Sequence, residues 1–454
     1  MKSTKFRFPS ALTANGWQEN VAITVDATGL IAAVTTGGSD GQAVGGIAVP
    51  AMPNVHSHAH QRLMLGLAEK AGPGTDSFWT WREVMYGFAL KLGPEELEAV
   101  AAQLYLEMLK SGFSVVGEFQ YLHHQPDGTP YANVAELSLR CLAAAETAGI
   151  AITLLPTLYN FGGFGGQPSI PGQRRFVNDA SRYLTIQEAL RAATAGHPLR
   201  RLGLSPHSLR AVTVALLSEV LSGMPPSAPV HIHVAEQTKE VEDCLAFCGK
   251  RPVDLMLDSF DVSSRWTAIH ATHMTPAETV RLARSGAIAG LCPTTEANLG
   301  DGIFPAVNYL AAGGAIAVGS DSHISVSPGE DIRMLEYSQR LRDRTRNALA
   351  GAPGRSTGRR LFDAACAGGA VSMAQPVGAI APGRRADIAV LDADHPALIG
   401  RTRDDALDSW IFSGGNACVK DVIVGGAHLV KDRAHVREEE IGRAFRAAVR
   451  RLAS

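Results

Sequence analysis

Three histidines, a fourth histidine and an aspartate each close a short apolar run in this chain. They stand in His56-Ser57-His58, in His233 with Glu236 three residues on, in His270, and in Ser320-Asp321. Imidazole nitrogens and a carboxylate are the donors a divalent cation takes from protein, and a hydrolase that activates water is the chemistry they suggest. Residues so far apart in sequence can meet only if the runs they terminate lie side by side with their ends on one rim. A (β/α)₈ barrel provides that rim at the C-terminal ends of its strands.

His56 and His58 are two apart, so an extended strand points both side chains to one face. His233 ends Pro229-Val230-His231-Ile232-His233 and offers a third nitrogen. His231 shares its parity but lies one layer deeper, where a hydrogen-bonded core histidine is the better reading. Asp321, after Ile316-Ala317-Val318-Gly319-Ser320, can complete the metal shell and take a proton from water; the competing reading is a helix N-cap. Glu236 is placed to lean over the nucleophile and carry its proton to a leaving nitrogen, and His270 to steady developing charge. The catalytic set is therefore Glu236, His270 and Asp321, and the metal set His56, His58, His233 and Asp321. Two-metal barrel hydrolases commonly bridge their ions with a carboxylated lysine at the fourth strand end. This chain has Leu204-Ser205-Pro206-His207-Ser208-Leu209-Arg210 there, without lysine, so one ion is expected. The ligand set favours Zn²⁺, and Fe²⁺ or another divalent ion fits the same donors.

The elements that must position these groups are legible as eight apolar runs: 47–55, 114–119, 150–158, 199–205, 229–234, 266–271, 286–293 and 315–319. Helical patterns lie between them, at 94–112, 185–195, 212–221, 240–247 and 276–285. The first begins Pro-Glu-Glu and ends on glycine, as a helix should. Strand–helix alternation predicts a parallel (β/α)₈ barrel over residues 49–379. An open doubly wound sheet is the competitor, but it does not converge the ends of its first, fifth, sixth and eighth strands. Short alternating segments fill residues 1–48 and 380–454. The two termini are expected to form one small β-sandwich, with an amphipathic helix at 437–453 closing the chain.

Bulk properties narrow the class further. The chain has 454 residues, 46% hydrophobic and 19% charged, with net charge −2 and a pI near 6.7. That balance gives no electrostatic case for nucleic acid or an anionic membrane. The basic stretches 340–346 and 443–451 interleave apolar residues at helical spacing and read as solvated helix faces. Six scattered cysteines include Cys244 and Cys248 on one helix face, but no second Cys/His pair accompanies them, so buried thiols are expected. No run approaches the ~20 apolar residues of a membrane span and no signal-peptide core is present, so a cytoplasmic protein is expected.

With these residues placed, the chain resembles the mononuclear deaminase branch of the amidohydrolase superfamily. The likeness is closest around Met52–Arg62, Asp76–Glu83, Ser205–Arg210 and Thr295–Gly302. Together these segments resemble the formimidoylglutamate deiminases of histidine breakdown. His60 departs from the aromatic that this group often carries. The resemblance implies hydrolysis of N-formimidoyl-L-glutamate to N-formyl-L-glutamate and ammonia, by a homodimer. It implies substrate binding by Gln61, Tyr121, His207 and Arg210, with Arg82 contributing from this or a neighbouring subunit. The residues agree with a dicarboxylate: His207 and Arg210 share one loop that can clamp a carboxylate, and Gln61 and Tyr121 follow the first two strands. A deaminase of aromatic bases or related heterocycles would share the metal site, but it favours ring stacking over a cationic rim. A non-catalytic scaffold on a decayed barrel should have lost ligands that are intact here.

Overall fold

The computed structural model describes residues 3–71, 74 and 76–453. Strands β1 (Thr4–Thr13), β2 (Gly16–Val25), β3 (Ile31–Thr36), β4 (Gln42–Ala43) and β5 (Ile47–Pro50) open the chain. Then come β6 (Met52–Ser57), β7 (Phe113–Gln120), β8 (Ala151–Leu158), β9 (Arg200–Leu202), β10 (Ser205–Pro206) and β11 (Val230–Val234). They are followed by β12 (Trp266–His270), β13 (Ile288–Leu291) and β14 (Ala315–Val318). Finally β15 (Ile388–Leu391), β16 (Val419–Val424), β17 (Ala427–Lys431) and β18 (Ala434–His435) close the strand order.

Strands β6 to β14 form the barrel. One parallel set runs β6–β7–β8 with β9 and β10 both on β8, and a second runs β11–β12–β13–β14. Two isolated parallel bridges, Ser57 with Asp321 and Leu204 with Val230, join the sets into a closed ring. The fourth position holds two short pieces, β9 and β10, where the sequence predicts one strand over 199–205. The barrel strands are almost wholly buried, which is why their sequences read as continuous apolar runs and not as alternating ones.

Helices return the chain between strands. Pro94–Ser111 has Pro at its first turn, Glu95 and Glu96 beside the N-terminal dipole, and Gly112 at φ +101° as its left-handed cap. Ala180–Thr194 starts five residues before the periodicity predicts, because the Asp179 side chain accepts from the Arg182 N–H and caps it. Pro276–Ser285 matches its predicted span, with Thr275 and Glu278 forming a capping box.

The terminal segments build a separate nine-stranded sheet, ordered β18-β17-β16-β15-β5-β1-β2-β3, with β4 on β1. The two ends of the chain meet where β5 pairs antiparallel with β15, Ile47 opposite Leu391. Phe6, Phe8, Val21, Ile23, Ile388 and Ile423 form its own apolar core. The predicted run 47–55 is thus two strands: β5 belongs to this sheet, β6 to the barrel, and Ala51 hands the chain over. The helix Glu438–Ala453 is tied to Pro94–Ser111 by the Arg451–Glu96 and Lys110–Glu438 ion pairs. Cys244 is buried, and Cys248 directs its thiol to the Cys244 carbonyl.

One close approach bears directly on the site. A Cβ on Gly319 would lie 2.7 Å from both the backbone N and the Cβ of His56. Only glycine lets the last barrel strand pass this near the first. Gly319→Ala is therefore expected to cost about 1–3 kcal/mol, as overpacking does, and to lower bound metal by displacing His56. Denaturant melts and metal analysis would show it; wild-type values for both would mean that the approach is dispensable.

Candidate active site and metal centre

His56 and His58 leave the end of β6, His233 sits near the end of β11, and Asp321 follows β14. The three imidazoles are essentially buried and converge on one point. His56 Nε2 lies 3.0 Å from His233 Nε2. Asp321 Oδ1 lies 3.4 Å from His56 Nε2 and 3.3 Å from His58 Nε2. Two tautomers are fixed from behind: His58 Nδ1 donates to the Phe119 carbonyl at 2.9 Å, and His233 Nδ1 to the His207 carbonyl at 2.9 Å. With Nδ1 carrying the proton, each Nε2 presents a lone pair to the centre. Burial, reinforced by the neighbouring imidazoles of His58 and His56 respectively, holds His56 and His233 well below the usual histidine range; burial also lowers His58. Two neutral nitrogens that can only accept, with the His56 imidazole and a carboxylate beside them, form a donor set that fits a divalent ion with N/O preference. Among the described residues, the groupings close enough to share a cation all fall in or against this cluster, and Cys244 and Cys248 are in none of them.

Glu236 and His270 stand over the cluster. His270 Nε2 is 3.8 Å from Glu236 Oε1 and 3.7 Å from Asp321 Oδ2, while its Nδ1 contacts Glu296 Oε1 at 3.2 Å. Burial opposes its charge, but Glu236, Glu296 and Asp321 outweigh burial and raise it to about 10. Burial lifts Glu236 to about 7, with His270 pulling against that rise and Asp321 adding to it. The backbone here is held in an unusual state. Ala235, His270, Ala271, Asp321 and His323 all have φ between +48° and +66°, a left-handed conformation that costs L-residues about 1–3 kcal/mol each.

The partners that hold this conformation were not assigned from sequence. Glu240 accepts from the backbone N–H groups of Ala235 and Glu236, and so fixes the turn that throws Glu236 over the cluster. Glu118, at the end of β7, accepts from the Ser57 hydroxyl, the Ala59 N–H and the Tyr105 hydroxyl. Burial raises its carboxyl to about 7 against those three donors. His323 Nε2 accepts from the His58 N–H, and its Nδ1 contacts Ser320 Oγ at 2.9 Å. Glu118 carried a signal, since a carboxylate inside an apolar strand run asks for partners. Glu240 and Glu296 look like ordinary first-turn helix acids, and their targets are invisible in sequence. His231 is the core histidine expected: its Nε2 donates to the Ser372 carbonyl at 3.0 Å.

A pocket opens above the cluster. Gln61, Tyr121, His207, Arg210 and Arg82 all line it, together with Glu236, His270 and Asp321. Tyr121 Oη is 3.3 Å from His58 Nε2. Gln61 Oε1 is buried without a partner, as are Nε of Arg82 and Nε of Arg210. Burial and the neighbouring Arg210 charge keep His207 neutral, so it serves as a hydrogen-bonding group and not as a second cation. Arg210 keeps its charge: burial works against it, and Glu240, Tyr159, Glu236 and Tyr86 together more than compensate. Arg82 comes from helix Phe78–Ala89 of the same chain, its Cζ 4.6 Å from the Trp79 ring centre. His60 is buried beside Tyr121 with neither ring nitrogen bonded.

A closed parallel barrel carrying this cluster on its C-terminal rim defines a metal-dependent hydrolase, and the chain belongs to the amidohydrolase family, whose model matches residues 47–429. Residues 9–43 match a second model, the N-terminal domain of formimidoylglutamate deiminase HutF. The chain is 52% identical to the formimidoylglutamate deiminase of Pseudomonas aeruginosa, over 96% of each chain. It superposes on an amidohydrolase from Brucella melitensis with a TM-score of 0.93, at 49% identity, covering 99% of this chain and 100% of that one. A more distant likeness, TM-score 0.84 at 21% identity over 98% of this chain and 100% of the other, is to the atrazine chlorohydrolase TrzN of Arthrobacter aurescens TC1, complexed with zinc.

Proposed function

We propose that the protein hydrolyses the C=N bond of N-formimidoyl-L-glutamate, giving N-formyl-L-glutamate and ammonia. One observation carries the reading beyond family membership. The pocket has a nitrogen–carboxylate cluster at its floor and two guanidiniums, Arg82 and Arg210, elsewhere on its wall with bonding capacity to spare. A substrate with an amidine-like head and two carboxylates on its tail matches both features.

His56, His58, His233 and Asp321 would hold one zinc ion, which when bound would supply Lewis acidity and lower the pKa of water towards neutrality. Zinc is supported by the donor set and by the zinc complex of the related barrel. Glu236 Oε1 takes a proton from the water that attacks the formimino carbon and delivers it to the nitrogen that departs as ammonia. Asp321 Oδ2 takes the second proton of that water and yields it to the departing nitrogen as the C–N bond breaks, and the His270 imidazolium, aimed by Glu296, stabilises charge developing at the reacting centre. Arg82, Arg210, Gln61, Tyr121 and His207 bind and orient the tail, fixing the head against Glu236.

The same proposal places the enzyme in histidine breakdown, in the cytoplasm, as a homodimer. Six free cysteines suit a reducing compartment, and no helix among the described residues is long and apolar enough to cross a membrane. The decisive experiment incubates purified protein with N-formimidoyl-L-glutamate and follows ammonia and N-formyl-L-glutamate, beside guanine, cytosine and adenosine. Equal release of both products from the formimino substrate alone is expected. Ammonia from a base and none from the amidine would overturn the reading.

A further inference from the structure

Two side chains at the pocket wall and a third bonded to both have no part in the chemistry above. Tyr86 comes from helix Phe78–Ala89, Tyr159 follows β8, and Gln173 ends the turn Pro171–Gln173. All three are buried, and both tyrosines line the pocket with Arg82 and Arg210. The Gln173 side-chain nitrogen contacts both phenol oxygens, Tyr159 at 2.7 Å and Tyr86 at 3.2 Å. Its orientation is settled by the other end of the amide, because Gln173 Oε1 accepts from the Ile170 N–H at 2.9 Å. Nε2 is therefore the atom facing the phenols, and it can only donate.

This direction has a consequence for the tyrosines. Each phenol has one proton to give, and neither can give it to Gln173. The two hydroxyls also interact with one another, which can absorb one of the two protons and no more. At least one O–H is thus left pointing to a partner outside the trio. Both phenols line the pocket with Arg210 and Arg82, and the Arg82 Cζ stands 5.5 Å from the Tyr86 ring centre, so the free donor lies on the cationic side of the pocket. Among the described residues, the only carboxylates lining the pocket are Glu236 and Asp321, which belong to the cluster at its floor.

We infer that Tyr159, with Tyr86 beside it, is a substrate-reading pair: Gln173 turns their hydroxyl protons outward, and Tyr159 donates one to a tail carboxylate held by the two arginines. Tyr159 is then a specificity residue for that carboxylate, and Gln173 a positioning residue that acts through it. The inference rests on the dicarboxylate reading of the pocket, and its test is built to fail separately.

Tyr159→Phe keeps the ring and removes only the donor. It is expected to raise KM for N-formimidoyl-L-glutamate about tenfold, the worth of one hydrogen bond to a charged group, with a much smaller change in kcat. Gln173→Glu reverses the polarity, since a carboxylate draws the phenol protons to itself, and is expected to raise KM at least as far. Calorimetric titration of the metal-loaded protein supplies a readout independent of turnover. The probes are N-acetyl-L-glutamate and its two single-carboxylate counterparts, N-acetyl-L-glutamine and 4-acetamidobutyrate. Tyr159→Phe should weaken the diacid about tenfold and should weaken only one of the two monoacids. Unchanged diacid binding in Tyr159→Phe, equal weakening of all three probes, or no binding of the diacid to wild type would each overturn the inference. A wild-type protein that binds the diacid yet releases no ammonia from N-formimidoyl-L-glutamate would instead overturn the proposed reaction, leaving the titration to decide the role of the hydroxyl.

Discussion

Glu236→Gln lowers turnover of N-formimidoyl-L-glutamate by a factor on the order of 10²–10⁴, the usual contribution of a positioned acid–base group. The amide keeps the shape and hydrogen-bonding reach of the carboxyl but cannot hold a proton in transit. Metal content should stay near the wild-type value, because Glu236 meets His270 and is not part of the nitrogen cluster. The pH profile gives a second check. A proton acceptor must be ionised, and burial places Glu236 at about 7. Wild-type kcat/KM should therefore fall as pH drops through that region, and the residual activity of the amide variant should lose this acid limb. Turnover like that of wild type, or an acid limb that survives, would remove Glu236 from the role of proton carrier.

His233→Ala strikes the other half of the site. It deletes the Nε2 that lies 3.0 Å from His56 Nε2, along with the imidazole that the His207 carbonyl holds in place. One of four donors is lost. Activity should fall at least a hundredfold, reflecting several kcal/mol of lost transition-state stabilisation, and metal should wash out during purification. Chelator-treated wild type should recover with added Zn²⁺ at a concentration that leaves the variant inactive. A variant that keeps both its metal and its rate would mean that the cation sits elsewhere.

The two experiments address residues that were legible in the sequence for a simple reason. Each of His56, His58, His233, His270 and Asp321 terminates a run of apolar residues, so a polar side chain appears just where a strand delivers it to the rim. The eight runs were equally visible, because barrel strands buried on both faces leave no polar alternation to confuse them. That same uniformity hid the division between β5 and β6. Ile47–Pro50 and Met52–Ser57 are both fully buried, Ile47, Val49 and Met52 in one continuous core, and nothing in their composition marks Ala51 as the crossing point. Glu240, Glu296 and His323 escaped for a different reason. Their work is done on backbone N–H groups or on an imidazole distant in sequence, and one chain carries no signal for such pairings. Gln173, Tyr86 and Tyr159 belong to that class as well, brought together from a short turn, a helix and the residue after β8.

The pairing of β5 with β15 sets a timetable for the newborn chain. Strand β5 emerges from the ribosome with one edge open, and the segment that covers that edge is made roughly 340 residues later. At about 5–20 residues per second this is a delay of tens of seconds. During that interval the barrel must close around its rim while Ile47–Pro50 stands as a bare template for any passing strand. Truncation from the C-terminal side would make that exposure permanent, so loss of β15 should show itself as aggregation of the whole polypeptide and not as a trimmed but working enzyme.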